Sequence, residues 1–118
     1  MSGSHRPAMR SAMQQVTLVI PGRDCATTLR ACLDAVVQLL RSAALAEIIF
    51  VDDGSRDDSA AIARAAGVTV LTGTGQGAGA ARNLGWRRAS TPLIWFVDSD
   101  CVVQPGALGL LVNHFDSD

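Results

Sequence analysis

Four short apolar runs, each closed by a turn-forming or acidic group, constrain this chain more than any other feature. Val16-Thr17-Leu18-Val19-Ile20 ends at Pro21-Gly22, and Ile48-Ile49-Phe50-Val51 ends at Asp52-Asp53-Gly54-Ser55. Val68-Thr69-Val70-Leu71 runs into a Gly-rich stretch from Thr72 to Ala80, and Leu93-Ile94-Trp95-Phe96-Val97 ends at Asp98-Ser99-Asp100. Short continuous apolar runs rich in β-branched residues are the pattern of strands covered on both faces. Pro21 and Gly22 are expected to stop the first of them.

The intervening segments carry helical signals. Leu29, Leu33, Val36, Val37 and Leu40 recur at helical spacing between Thr27 and Arg41, with Thr27 or Thr28 as candidate cap. A second helix is expected from Asp57 or Asp58 to about Ala66, with Gly67 at its C-terminal cap. A third opens from the glycines and runs to about Arg88, and Pro105 fits the first turn of a last helix reaching about His114. Alternating strands and helices predict an α/β fold, an open, mostly parallel, Rossmann-like sheet with flanking helices and right-handed crossovers. A strand order of 3-2-1-4 gathers Pro21, Asp52 and Asp98 around one switch point, the place where open α/β sheets bind ligands.

Composition narrows the class. With 118 residues, 48% of them hydrophobic and 18% charged, the chain suits one domain with a buried sheet. Residues 1–15 mix Ser, Gly, His, Arg and Pro without apolar period and are expected to form a disordered leader, which leaves 16–118 as the domain. A formal net charge of −1 provides no global field to recruit nucleic acid. No apolar run approaches the ~18 residues that cross a bilayer, so no membrane segment is expected in this chain. Cys25, Cys32 and Cys101 lack metal-finger spacing and are expected as free, small buried hydrophobes in a reducing compartment. Trp86 and Trp95 are expected in the core, His5 and His114 at the surface, and Arg87 and Arg88 on a solvated helix end.

The acidic clusters suggest the chemistry. Asp98 and Asp100 stand two residues apart and project to one side if strand geometry persists. Two such anions repel until a cation arrives, and a hard divalent ion such as Mg²⁺ or Mn²⁺ takes one or two protein carboxylates and fills its remaining positions with phosphate oxygens and water. The other reading of the same residues is a polar turn. In Asp52-Asp53-Gly54-Ser55 a carboxylate can accept from a nucleobase N–H or a ribose hydroxyl, while Gly54 allows a tight turn; a capped helix entry is the alternative. Gly75-Gln76-Gly77-Ala78-Gly79-Ala80 satisfies the GxGxxA pattern of dinucleotide-binding domains. It lies, however, in the third strand–helix unit and starts several residues past Leu71.

Taken together these residues resemble glycosyltransferase family 2, the GT-A-fold nucleotide-sugar transferases, from Val16 to about Phe115. Val19-Ile20-Pro21 is similar to the family's first-strand signature, Val51 to Ser55 to its VDDGS turn, Gly79-Ala80-Ala81-Arg82-Asn83 to its Gly-to-Arg-Asn helix, and Asp98-Ser99-Asp100 to its DXD. The resemblance implies that Pro21, Arg23, Asp52 and Asp53 embrace the base and ribose, with Asp52 the nucleobase partner. It places Arg82 and Asp98 near the nucleotide, and Asp98 and Asp100 on a metal that holds the donor's diphosphate. It implies inverting transfer of a sugar to an acceptor hydroxyl on a glycan, lipid or small molecule, in a cytoplasmic or membrane-peripheral location. The family's common Tyr-Asn after the first Pro is Arg23-Asp24 here, which removes an aromatic stack on the base. The chain ends one short helix beyond the DXD, so a truncated, donor-binding half is expected, with the general base lying beyond Asp118 and only a weak claim for Asp116 or Asp118. A nucleotide-binding module without catalysis and, less favoured, a dinucleotide-binding domain are the competing readings.

Overall fold

The computed structural model describes residues 15–116, with side chains to Asn113. The expected leader, apart from Gln15, and the side chains of His114, Asp116 and Asp118 lie outside the described residues. Gln15 itself belongs to the fold: its carbonyl accepts the Leu93 amide at 3.3 Å and its side chain donates to the Ala43 carbonyl at 3.2 Å.

Four strands, β1 (Val16–Gly22), β2 (Leu45–Asp52), β3 (Thr69–Thr72) and β4 (Leu93–Phe96), form one sheet in the order β3-β2-β1-β4. Every pairing is parallel, so all the strands end at one edge. The connections carry helices α1 (Ala26–Val37, extended by a 3-10 turn over Gln38–Arg41), α2 (Ser59–Ala65) and α3 (Ala78–Arg88), and α4 (Ala107–Asp116) follows β4. This is the expected fold class and strand order, with β1 between its partners.

The central strands β1 and β2 are buried on both faces, β3 and β4 only partly, and the pleat sorts the central residues into two cores. Leu18, Ile20, Ile48 and Phe50 pack with Leu29, Leu33 and Val36 of α1, Ala63 of α2 and Leu108 of α4. Val19, Ile49 and Val51 face the other way, onto Ala81 of α3. At Gly85 the helix comes close to the sheet: a Cβ there would collide with Val19 Cγ1 and lie 3.2 Å from Val19 Cγ2 and 3.3 Å from Val51 Cγ2.

Several local expectations are corrected. Pro21 and Gly22 do not stop β1, which continues through them opposite Val51 and Asp52. Proline removes only a donor, and the Gly22 carbonyl still accepts the Asp53 amide at 2.9 Å. Neither Thr27 nor Thr28 caps α1; the cap position is Cys25, and the caps come from the neighbouring loop. Ser59 Oγ accepts the Cys25 amide at 2.9 Å and Asp57 Oδ2 accepts the Ala26 amide at 3.0 Å. Asp57 Oδ1 takes the Ser59 amide and hydroxyl, so one carboxylate ties the starts of α1 and α2 together. Pro105 precedes α4 by two residues, and Gly67 closes α2 at φ +83, as expected of a glycine C-cap. Trp86 is 58% exposed, not in the core: one residue beyond Gly85 turns it about 100° off the sheet-facing line. Trp95 does pack against the larger core. Cys25 and Cys32 are buried, but Cys101 lies past the end of β4 and is exposed.

Candidate active site at the strand ends

Ladder bonds continue beyond the strands and set the floor of the site. The Asp53 amide donates to the Gly22 carbonyl, Gly73 to the Asp52 carbonyl at 2.7 Å, and Val97 to the Val19 carbonyl at 3.0 Å. Pro21, Asp53 and Asp98 are thus carried to the same edge. A cavity of about 360 Å³ opens there, lined by Pro21 and Gly22 at the end of β1 and Arg23 after it, Asp53 after β2, Ala78, Ala81 and Arg82 of α3, and Asp98, Ser99 and Asp100 after β4. Its size falls within the range of small-ligand sites.

Six of the seven residues singled out from the sequence, Pro21, Arg23, Asp53, Arg82, Asp98 and Asp100, line this cavity. Asp52 does not. Its position in the pleat explains why: Asp52 continues the set of Ile48 and Phe50, on the α1 side, whereas Asp53 continues Ile49 and Val51, on the α3 side. Asp52 is 8% exposed, and its Oδ1 accepts the Ser55 amide at a long 3.4 Å. A carboxylate in that state keeps acceptor capacity.

The first loop is held firmly enough to present Arg23. Asp24 adopts φ +50, a left-handed conformation that a short polar side chain tolerates better than most. Its amide donates to Ser55 Oγ at 2.9 Å and its Oδ1 accepts the Arg56 amide at 2.7 Å. Gly22 is required by packing, since a Cβ would lie 2.8 Å from both Cys25 Sγ and Phe50 Cε1.

On the opposite wall, the start of α3 reaches the cavity at Ala78. The first-turn amides of a helix have no intrahelical acceptor, and the helix dipole adds partial positive charge there. With the guanidinium of Arg82 one turn further on, this wall suits an anion such as a phosphate. Ala78 and Ala81 escaped sequence reasoning; small residues give no chemical signal, although the Gly-to-Arg-Asn helix pointed to their neighbourhood.

The third wall is acidic. Asp98, Asp100 and Cys101 are exposed and bring their potential ligand atoms within 4.8 Å of one another. Two carboxylate oxygens at that spacing fit a hard divalent cation, and the thiol is a third, softer donor that the sequence reading did not assign. Beneath them the buried Cys32 thiol donates to the Asp98 carbonyl at 3.7 Å. Burial, reinforced by neighbouring Cys101, Cys25 and Asp100, raises the Cys32 pKa to about 11, so it remains a neutral thiol.

The Gly-rich segment has an internal ligand. Gly75 donates its amide to Asp53 Oδ1 at 3.0 Å and Gly77 to Asp53 Oδ2 at 2.9 Å. Both glycines have positive φ, +75 and +103, which turns those amides onto the carboxylate. The amides that would cradle a dinucleotide's pyrophosphate are therefore already bonded to Asp53, which counts against the GxGxxA reading.

Comparison with known proteins agrees with this geometry. Residues 17–118 match the family described as Glycosyl transferase family 2. The chain is 35% identical over 114 residues to the succinoglycan biosynthesis protein ExoU of Rhizobium meliloti (strain 1021), covering 88% of this chain and 31% of that protein. It is 31% identical over 99 residues to the glycosyltransferase AglE of Haloferax volcanii, covering 79% and 33%. The chain thus spans about a third of the length of these curated relatives. Among solved structures, Mycobacterium tuberculosis glucosyl-3-phosphoglycerate synthase, in complex with Mn²⁺, UDP and glucosyl-3-phosphoglycerate, superposes with a TM-score of 0.76 at 25% identity, covering 91% of this chain and 41% of that one. Staphylococcus aureus TarS shares the fold at TM-score 0.76 and 19% identity, covering 87% and 32%.

Four parallel strands in this order, with a carboxylate pair past the last of them, form the GT-A type of α/β domain that these solved structures share. The chain belongs to glycosyl transferase family 2.

Proposed function

We propose that this chain binds the nucleoside-diphosphate sugar donor of an inverting, metal-dependent glycosyltransferase. The observation that carries the reading is the meeting of Arg82 and the start of α3 with Asp98 and Asp100 across one cavity at the strand ends. Two positive elements face two carboxylates, which is the charge arrangement that a metal-bound diphosphate completes. The solved relative with Mn²⁺ and UDP supports the same ligand class.

In this reading Asp98 and Asp100 hold Mg²⁺ or Mn²⁺, and that cation, when bound, neutralises charge on the diphosphate as it becomes a leaving group. The protein's own groups do the rest of the binding. Arg82 and the α3 amides take the phosphate oxygens, and Arg23 closes the opposite side over the donor. Pro21, on the cavity wall at the end of β1, is assigned to the base and ribose, whereas Asp52, turned toward α1 and outside the cavity, is given no contact with the donor. None of the cavity's carboxylates is assigned as general base, because Asp53 is bonded to two amides and the other two are needed for the cation. The base and the acceptor hydroxyl, from a glycan, lipid or small molecule, are assigned to the remainder of a relative-length protein. A cytoplasmic or membrane-peripheral location is part of the same proposal; among the described residues no helix is long and apolar enough to cross a membrane.

Nucleotide selectivity tests the reading. Calorimetry with saturating Mn²⁺ should show binding of UDP or GDP and no response to NAD. Tight, metal-independent binding of NAD would overturn it and restore a dinucleotide site.

A further inference from the structure

We propose that Cys101 is a third protein ligand of the cation assigned to Asp98 and Asp100, and that its sulfur sets the metal preference of the site. This role rests on the reading of the carboxylate pair as metal ligands. It adds what the pair alone leaves open, which divalent ion the site favours.

The thiol is carried by the same turn as the carboxylates. Past the end of β4 the Cys101 amide donates to the Asp98 carbonyl at 3.0 Å, which folds the chain back so that positions 98 and 101 stand side by side. The turn is tied to the fold beneath it: the Val97 amide donates to the Val19 carbonyl at 3.0 Å, and the buried Cys32 thiol of α1 donates to the Asp98 carbonyl at 3.7 Å. Asp98, Asp100 and Cys101 are all exposed, and one potential ligand atom from each lies within 4.8 Å of the other two. Two ligands of one ion, each bonded at about 2.0–2.3 Å, stand no more than about 4.5 Å apart, so small rotations of exposed side chains close the set. Asp98 and Asp100 also line the cavity, which keeps a cation bound there next to the donor. Cys25 and Cys32 are buried and cannot supply the sulfur in its place.

Sulfur changes what such a site selects. Mg²⁺ takes oxygen ligands and gives up its water reluctantly, so a thiol adds little to its binding. Zn²⁺ is bound well by thiolate, and a sulfur donor beside two carboxylates raises its affinity over that of Mg²⁺ or Mn²⁺. On coordination a metal–sulfur bond replaces the S–H bond, and the proton passes to solvent. Three protein ligands still leave a position for water or a diphosphate oxygen, as in zinc sites that act on a ligand.

The test titrates the full chain with Zn²⁺, Mn²⁺ and Co²⁺, comparing wild type with Cys101→Ser. Zn²⁺ outranks Mn²⁺ at almost any donor set, so the diagnostic quantity is the change in their affinity ratio. We expect Cys101→Ser to lower the preference for Zn²⁺ over Mn²⁺ by at least ~10-fold. Co²⁺ should give the wild type a sulfur-to-cobalt charge-transfer band in the near ultraviolet, lost in Cys101→Ser and weakened in Asp98→Asn and Asp100→Asn. If Cys101→Ser does not fold, the wild type carries the test: Zn²⁺ should slow the alkylation of Cys101 by iodoacetamide, mapped by mass spectrometry, far more than Mg²⁺ at the same concentration.

An unchanged affinity ratio, a wild type without the sulfur band, or equal alkylation in Zn²⁺ and Mg²⁺ would overturn the inference. So would a band undiminished in both Asp variants, which marks an exposed thiol binding metal by itself. UDP separates this inference from the nucleotide reading. Metal-dependent UDP binding without a sulfur band overturns the Cys101 ligand and leaves the nucleotide reading standing. A Cys101-dependent band and ratio in a chain whose metal affinity UDP does not alter support the sulfur ligand and overturn the nucleotide reading.

Discussion

Replacing Gly85 by Ala isolates how tightly α3 is seated on the sheet. In a helix interior the change should by itself stabilise by about 1 kcal/mol through propensity. Here the new methyl would overlap Val19 Cγ1 and press on Val19 Cγ2 at 3.2 Å and Val51 Cγ2 at 3.3 Å. Val19 and Val51 are fully buried on β1 and β2, and β-branched side chains have little freedom to rotate away. Overpacking of that kind costs about 1–3 kcal/mol, so the balance should be a net loss of up to ~2 kcal/mol. Gly79, in the same helix, is the internal control, because a Cβ there meets nothing within 4 Å. Gly79→Ala should gain about 0.4–1 kcal/mol. Urea and thermal unfolding followed by circular dichroism would measure both, and a separation of about 2 kcal/mol corresponds to roughly 10 °C for a domain of this size. Equal stabilisation by the two substitutions would show that α3 leaves room for a methyl group between Gly85 and the sheet.

Two further predictions concern titratable groups. The Ser59 hydroxyl, followed by the Ala26 and Ser59 amides, holds the Asp57 carboxyl below its ordinary value against a smaller opposing desolvation. A depressed folded-state pKa gives stability that is present above the unfolded value of about 3.9 and lost as pH falls through the folded one. The melting-temperature gap between wild type and Asp57→Asn should accordingly be full at pH 6 and close in strong acid; a gap independent of pH would contradict the network. Iodoacetamide at pH 8 should label the exposed Cys101 in the native protein and spare Cys25 and Cys32 until unfolding, since burial removes access and keeps Cys32, at about 11, protonated. Native labelling of Cys32 at the rate of Cys101 would refute its placement.

What could be read from the sequence was what depends on pattern. Alternating apolar runs and helical periods determine layers and crossovers, and a switch point shared by the ends of β1, β2 and β4 requires the strand order that is found. What depends on the phase of a strand end could not be read. Asp52 and Asp53 are chemically identical neighbours, and only the pleat sends one toward α1 and the other into the cavity. The role of the glycines was hidden for a similar reason: GxGxxA records that amides turn toward an anion, but not whether that anion is a ligand or the protein's own carboxylate. Trp86 and Cys101 were misplaced because residue type suggests burial, while exposure was decided by a helical phase and by the end of β4. The caps of α1 came from Asp57 and Ser59, more than thirty positions along the chain, beyond the reach of any local signal.

The proposed role of Asp98 and Asp100 is to bind nucleotide through a shared cation. It is tested most directly by titrating UDP in the presence of Mn²⁺ and again with chelator, for wild type, Asp98→Asn and Asp100→Asn. Asparagine keeps the shape and removes an anionic ligand, so the account predicts that each variant loses at least ~10-fold in Mn²⁺-dependent affinity, about 1.4 kcal/mol. Folding should be undisturbed or slightly improved by relief of the carboxylate repulsion, and chelator should lower wild-type affinity toward that of the variants. Wild-type affinity unchanged by chelator, or variants that bind normally but unfold early, would make Asp98-Ser99-Asp100 a structural turn and contradict the account.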